Sequence, residues 1–336
     1  MAQPYDPDAD PWDIREQAFP TSRSLRARLI FLLRYAILAP STRNSQPWRF
    51  AVDDAEIRIV ADPSRWQRVA DPEQRELFIS LGCALENLLI AAEHFGYRCE
   101  VCYTPDSTWP EFAASVTFWP GEAALPRWPP QLFGAILKRF SHHAGFEPRT
   151  ISPEGAAFIQ GFCTDPGLCL HLTGDAAARR AADALVARAD ARGFADPAYR
   201  EELADCIGRG WLGMPWLFSI IARVAVAHLD LGRSIVKKDH ELLMTAPLLG
   251  LLCSEKDGRR EQLRTGQVFE RVYLAAATLG MGVHPVSQLV QFPEIKAKLI
   301  QLMPVPRWVP QQPFCLGYAA PPRHRTPRRP LAEVVD

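Results

Sequence analysis

Apolar residues recur at helical spacing in three long stretches and alternate in several short ones, and that pattern lays out most of the chain. Leu25, Leu29, Leu32, Leu33 and Ala36 share one face of a helix over 24–38. A second helix begins at Asp71-Pro72-Glu73, with Asp71 as N-cap and Pro72 at the first helical position, and runs to Phe95 before Gly96. Its 79–92 stretch is apolar nearly all round, the mark of a helix buried in mid-domain. A third spans 260–279 and stops at Gly280. Alternating runs predict strands at 48–52 and 56–61 around an Asp53-Asp54 turn, and further strands at 97–103, 114–119, 168–172, 246–254 and 314–318. Shorter helices are expected over 131–139, after Ser152-Pro153-Glu154, over 175–192 and from Asp196-Pro197 to about 207.

The two longest helices resemble each other. A shift of 184 positions lays Gly82 on Gly266, Glu86 on Glu270, Ala91 on Ala275, Ala92 on Ala276 and Gly96 on Gly280. A small residue such as Gly82 permits close helix approach, and a carboxylate on a mostly buried helix must find a partner. The expectation is a two-fold dimer fused into one chain, with these helices packed on each other. Residues 208–231, which crowd Trp211, Met214, Trp216, Phe218 and Ile220, have no counterpart in the first half. They read as an inserted lid, with an ordinary core helix hairpin as the alternative. The division expected is an arm at 1–20, a first half at 21–125, and a second half at 126–336 holding a lid at about 208–240. The stretch 121–130 is the linker, and 323–330 a basic, proline-rich tail.

Composition narrows the function. At 336 residues, 48% hydrophobic and 23% charged, the chain is globular, and its 38 basic residues balance its 38 acidic ones. No global field draws it to nucleic acid or an anionic membrane, so small neutral substrates fit better. Residues 1–20 lack the apolar core of a signal peptide, and the apolar run at 214–222 is broken by Arg223, so a cytoplasmic location is expected. The eight cysteines are scattered and, in the cytosol, reduced. Cys99 and Cys102 have redox spacing, but strand alternation puts their thiols on opposite faces. No histidine or cysteine set has zinc spacing.

The segment Ala39-Pro40-Ser41-Thr42-Arg43-Asn44-Ser45-Gln46-Pro47-Trp48 joins the first helix to the first strand. Its prolines restrict the backbone, and Asn44 and Gln46 carry paired donors and acceptors able to read the edge of a flat heterocycle. It resembles the flavin-binding loop of the nitroreductase family, Ala-Pro-Ser followed after a short spacer by Asn-x-Gln-Pro-Trp. The stretches 73–87, Thr265 to Arg271, Leu279 to Gln288 and Arg328-Arg329-Pro330-Leu331 extend the likeness to the Acg-like branch, in which two nitroreductase halves are fused.

That resemblance implies an α+β, nitroreductase-like fold, a tandem pseudo-dimer with central long helices, flanking sheets and an inserted lid. It implies one FMN per chain. Pro40, Ser41, Thr42, Asn44 and Gln46 would contact the ring and ribityl chain, and Pro285 and Ser287 would approach from the second half. The family's Arg-x-Ser/Thr-x-Arg phosphate segment falls on Arg139, Ser141 and His143, with Arg329 reaching the same phosphate. The departure is His143 in place of arginine; protonation of this histidine toward pH 6 is expected to tighten binding. The activity implied is electron transfer from NAD(P)H through FMN to a nitroaromatic or quinone-like small-molecule acceptor, with no nucleic-acid or membrane partner and a chain able to work as a monomer. The alternative is FMN storage or sequestration beneath the lid.

Overall fold

A computed structural model describes residues 10–104, 108–121, 127–213, 216–228, 232–302, 307–322 and 324–336, without the side chains of 216–217, 227–228 and 232–235. The expected arm, linker and tail are thus described in part, and Met214 and the Trp216 side chain lie outside the described residues. The first helix, α1 (Leu25–Ala36), is capped by Ser24, whose hydroxyl accepts from the Ala27 amide. Strands β1 (Trp48–Asp53) and β2 (Glu56–Ala61) pair antiparallel across the Asp54 turn, with Trp48 opposite Ala61 and Asp53 opposite Glu56. Helix α2 (Arg75–His94) starts later than Asp71 suggests. Gln74, in the left-handed region, breaks the chain before it, while the Asp71 carboxylate still accepts from the Leu77 amide at 2.9 Å. Strands β3 (Tyr97–Tyr103) and β4 (Phe112–Pro120) complete a sheet of order β1-β2-β4-β3.

The second half opens with α3 (Gln131–Ile136) and α4 (Pro153–Gln160) and then β5 (Leu168–Thr173). Four helices follow, α5 (Ala176–Ala195), α6 (Pro197–Gly208), α7 (Trp216–His228) and α8 (Gly232–Thr245), before the chain returns in β6 (Leu248–Ser254). Helix α9 (Arg259–Thr278), β7 (Met281–Pro285), α10 (Gln288–Gln291), α11 (Pro293–Leu302) and β8 (Val309–Tyr318) finish a sheet of order β5-β6-β8-β7. The two orders are equivalent when β1 to β4 are matched with β5 to β8. The whole of α5–α8 therefore occupies the place of the tight β1–β2 turn, a wider insertion than the 208–240 expected. Strand β7, a loop by its sequence pattern, pairs with β8.

Helices α2 and α9 cross where Gly82 meets Gly266. A Cβ on Gly82 would lie 2.0 Å from the Leu263 carbonyl oxygen, and one on Gly266 would lie 2.0 Å from that of Ile79. No side chain fits there, so the glycine pair matched by the repeat is what lets the helices touch. Around the crossing, α1, α2, α9 and the inner faces of both sheets share one hydrophobic core. A second core lies between the outer face of the second sheet and α5, α8, α10 and α11. Among the described residues α2 alone is long and apolar enough to cross a bilayer, and 89% of that window is buried inside the protein, as in a core helix. The C-terminus returns to the first sheet: the Phe50 amide donates to Val334 O and the Asp336 amide to Phe50 O, which covers the free edge of β1.

Candidate functional site

The loop after α1 holds its shape against backbone preference. Arg43, Asn44 and Gln46 all take positive φ (49°, 55° and 49°), three of the seven non-glycine residues that do so among the described residues. Each costs of order 1–3 kcal/mol and persists only where surroundings fix it, a concentration typical of working sites. Those surroundings are specific. The Ser41 hydroxyl accepts from the Gln46 amide at 2.9 Å, the Thr42 amide donates to the Ser80 hydroxyl on α2, and Gln67 donates to Thr42 O. The Asn44 side-chain amide donates to Trp211 O (2.7 Å) and Pro327 O (3.0 Å), and the Gln46 side chain accepts from the Arg329 amide at 2.8 Å. In this arrangement Asn44 and Gln46 grip the chain's own tail and insertion.

Beside the loop, three arginines converge where α1, α3, α9 and the tail meet. Arg139, just after α3, is buried; it donates to Leu38 O at 2.8 Å, lies 3.6 Å from the Glu270 carboxylate and stands over the Tyr273 ring. Arg328 donates to the same Leu38 oxygen and to Asn44 Oδ1 at 2.8 Å. Arg325 donates to the carbonyls of Leu137 and Arg139 at the C-terminus of α3. The arm closes over the group: the Trp12 indole sits 4.9 Å from the Arg325 guanidinium and 4.8 Å from that of Arg328, and donates to Thr326 O. Burial and the neighbouring Arg139 hold the Arg328 pKa well below the arginine range. The Nε atoms of Arg139 and Arg328 and both oxygens of Glu270 are buried without a hydrogen bond. Burial drives the Glu270 carboxyl up to about 7, against the pull of Arg139.

The other expected residues are placed differently. The Ser141 hydroxyl bonds that of Tyr273 at 3.0 Å, next to Arg139. His143 keeps an exposed position and packs edge-on to His284; partial desolvation, Lys238 and His142 lower its pKa, which works against the tightening expected from its protonation. Arg329 faces away from Arg139: it pairs with Asp62 at 3.2 Å and donates to Gln46 O and Trp48 O. Neighbours in an extended tail point to opposite sides, so only one of Arg328 and Arg329 can face α9. Pro285 ends β7, and Ser287 stands just before α10. From that turn Gln288 donates to Asp239 on α8, and Gln291 to Glu76 on α2, beside Ser80 and the loop.

The insertion is latched onto the same region. Glu202 on α6 accepts from the Val69 and Ala70 amides at 2.8 and 2.9 Å and pairs with Arg43, which also lies over the Tyr199 ring. Trp211 is buried against Arg65. Phe218 and Ile220, assigned to the expected lid, are 64% and 50% exposed. Sequence reasoning does not assign a site role to Arg325, Arg328, Glu202 or Trp12; the signal available is the paired arginines of the tail.

No protein-family model matches the chain. Over 336 residues it is 25% identical to a Mycobacterium tuberculosis H37Rv protein provisionally named an NAD(P)H nitroreductase, covering 95% of this chain and 92% of that one. The M. tuberculosis protein provisionally named NAD(P)H nitroreductase acg is 30% identical over 90 residues, 27% of each chain. In structure, a provisionally named nitroreductase from Anabaena variabilis superposes with a TM-score of 0.50 at 13% identity, over 79% of this chain and 69% of that one. With its two α+β halves and paired central helices the chain has a nitroreductase-like fold, and along nearly its full length it is similar to a protein named as a nitroreductase.

Proposed function

We propose that the chain is an FMN-dependent oxidoreductase carrying electrons from NAD(P)H to a nitroaromatic or quinone-like acceptor, in the cytoplasm. The observation that carries this reading is the arginine group. Arg139 stands beside the Glu270 carboxylate with Arg328 and Arg325 close by, so arginines outnumber the carboxylate in this group, and the buried Nε atoms of Arg139 and Arg328 lack acceptors. That donor set suits a phosphate, which brings about −1.5 to −2 charges and three acceptor oxygens. Bound FMN would supply the hydride and electron chemistry at its ring. Arg139, Arg325 and Arg328 would neutralise and orient the phosphate. The loop segment from Pro40 to Thr42, next to the strained Arg43, Asn44 and Gln46, would fix the far side of the site, and the insertion would exclude water. Phosphate donors come from the second half and the loop from the first, so one chain supplies one site and a monomer suffices, as expected if the halves arose by tandem duplication.

A second reading has its own support. Glu202 and Trp211 bind the insertion to the loop and its neighbours, and a segment so held would hinder a nicotinamide from stacking on the ring. The protein would then sequester FMN. One experiment separates the readings: an absorbance spectrum of the purified protein, followed by anaerobic NADPH and then a quinone. Bleaching of the yellow colour and its return with quinone supports the oxidoreductase. A yellow protein that NADPH leaves unbleached supports sequestration, and a colourless protein that takes up no added FMN overturns both.

A further inference from the structure

The sequence directs attention to Cys99 and Cys102, yet a better-placed pair lies on the second sheet. In the β5–β6 register Cys169 stands directly opposite Cys253. Opposed residues of antiparallel strands have Cα atoms about 4.5–5.5 Å apart, inside the range of about 4.4–6.8 Å that a disulfide spans. Both thiols belong to the outer face, where Cys253 is buried in the second core and Cys169 packs against that core from a half-buried position at the edge strand. The neighbouring Cys253 lowers the Cys169 pKa from the ordinary thiol value. One cysteine is thus partly accessible at the edge strand and the other is sheltered directly opposite it, the arrangement of a reactive cysteine with a resolving partner.

We propose that Cys169 and Cys253 are a redox-active dithiol that closes to a cross-strand disulfide on reaction with a peroxide. The Cys169 thiolate attacks one peroxide oxygen, the O–O bond breaks, and Cys169 becomes a sulfenic acid as the first water leaves. The Cys253 sulfur then attacks the sulfenic sulfur, the S–O bond breaks, and the second water leaves. Two thiols and one hydrogen peroxide give one disulfide and two waters. The bond joins the strand that enters α5–α8 to the strand that leaves it, four register positions from the Thr173–Leu249 pair at which the insertion begins. This stands independently of the flavin reading.

The full-length protein, reduced, freed of reductant and held dilute so that exposed Cys102 does not pair between molecules, is treated with hydrogen peroxide. Two of the eight thiols should disappear together and return with dithiothreitol. Non-reducing peptide mapping should link the Cys169 and Cys253 peptides. In Cys253→Ser, dimedone should label Cys169; in Cys169→Ser, Cys253 should stay unmodified. A linkage of Cys169 to Cys163, or oxidation of other cysteines while Cys169 and Cys253 remain free, overturns the proposal. The wild-type peptide map distinguishes these outcomes even if a variant fails to fold.

Discussion

Glu86 and Glu270 occupy the same position in the two halves, one turn beyond the glycine crossing, and their surroundings differ. Glu86 is fully engaged: it accepts from the Gln267 amide at 2.8 Å and the Trp128 indole at 3.1 Å, with Arg271 at 3.5 Å. Glu270 is as deeply buried, but its oxygens make no hydrogen bond and its nearest cation, Arg139, is one of three arginines with work elsewhere. A satisfied buried carboxylate is structure, whereas one beside spare guanidinium donors fits the phosphate site proposed above. The sheets repeat the lesson. Where β1 turns tightly into β2, the matching β5–β6 connection carries four helices, and these reach across to the first half's loop.

The largest effect should come from the crossing both halves share. Gly82→Ala must push two helix backbones apart and is expected to cost about 3 kcal/mol or more, read in chemical denaturation or as failure to fold. A neutral result would mean that the helices do not touch at Gly82.

Next, Arg139→Met leaves Glu270 buried without its cation and should destabilise by about 3 kcal/mol, most of it recovered when Glu270→Gln is added. The double-mutant cycle measures this, and additive losses would show that the two do not interact.

Glu270 also predicts a pH dependence. Its folded-state pKa of about 7 exceeds the unfolded value of 4.5, so the folded state binds the proton more tightly across that window. Stability from this group is full below pH 4.5 and declines as pH rises through 7, by about 3 kcal/mol in all. Asp71 and Asp190, both raised mainly by burial, act in the same direction. The test is therefore the wild type minus Glu270→Gln, whose difference should grow with pH up to about 7 and then level off.

For ligand binding, Arg328→Ala and Arg325→Ala should each weaken FMN by about 10- to 100-fold, the worth of a charged hydrogen bond, while Arg329→Ala should change it less than about threefold. Fluorescence titration ranks them. The reverse order would return the phosphate to Arg329.

The smallest expected effect is at the latch. Glu202→Ala removes the acceptor for Val69 and Ala70, should cost about 1 kcal/mol, and should speed anaerobic reduction of the flavin several-fold. An unchanged rate would remove the insertion as a barrier to NADPH.

Much of the fold is legible in the sequence because its signals are local. Period-2 and period-3.6 patterns place β1, β2, β3, α2 and α9 within a few residues, and the Gly82–Gly266 match anticipates the helix crossing. Strand β7, five residues with Gly282 and Pro285 inside, carries no alternation that would reveal it. The site is legible as a set of parts but not as an assembly. Arg139 and the loop stand out in the sequence, yet nothing local distinguishes Arg328 from Arg329, or shows that His143 packs beside His284 near Lys238.

What the sequence determined by itself, then, is the element order, the paired glycine helices and the chemistry of the loop, because hydrogen bonding along the backbone and the periodicity of apolar side chains act over a few residues. Only the tertiary structure decided which arginine faces Glu270, how far the insertion extends, and that Cys169 lies against Cys253. Those outcomes depend on register and burial between segments far apart in the chain, where a shift of one residue turns a side chain to the opposite face.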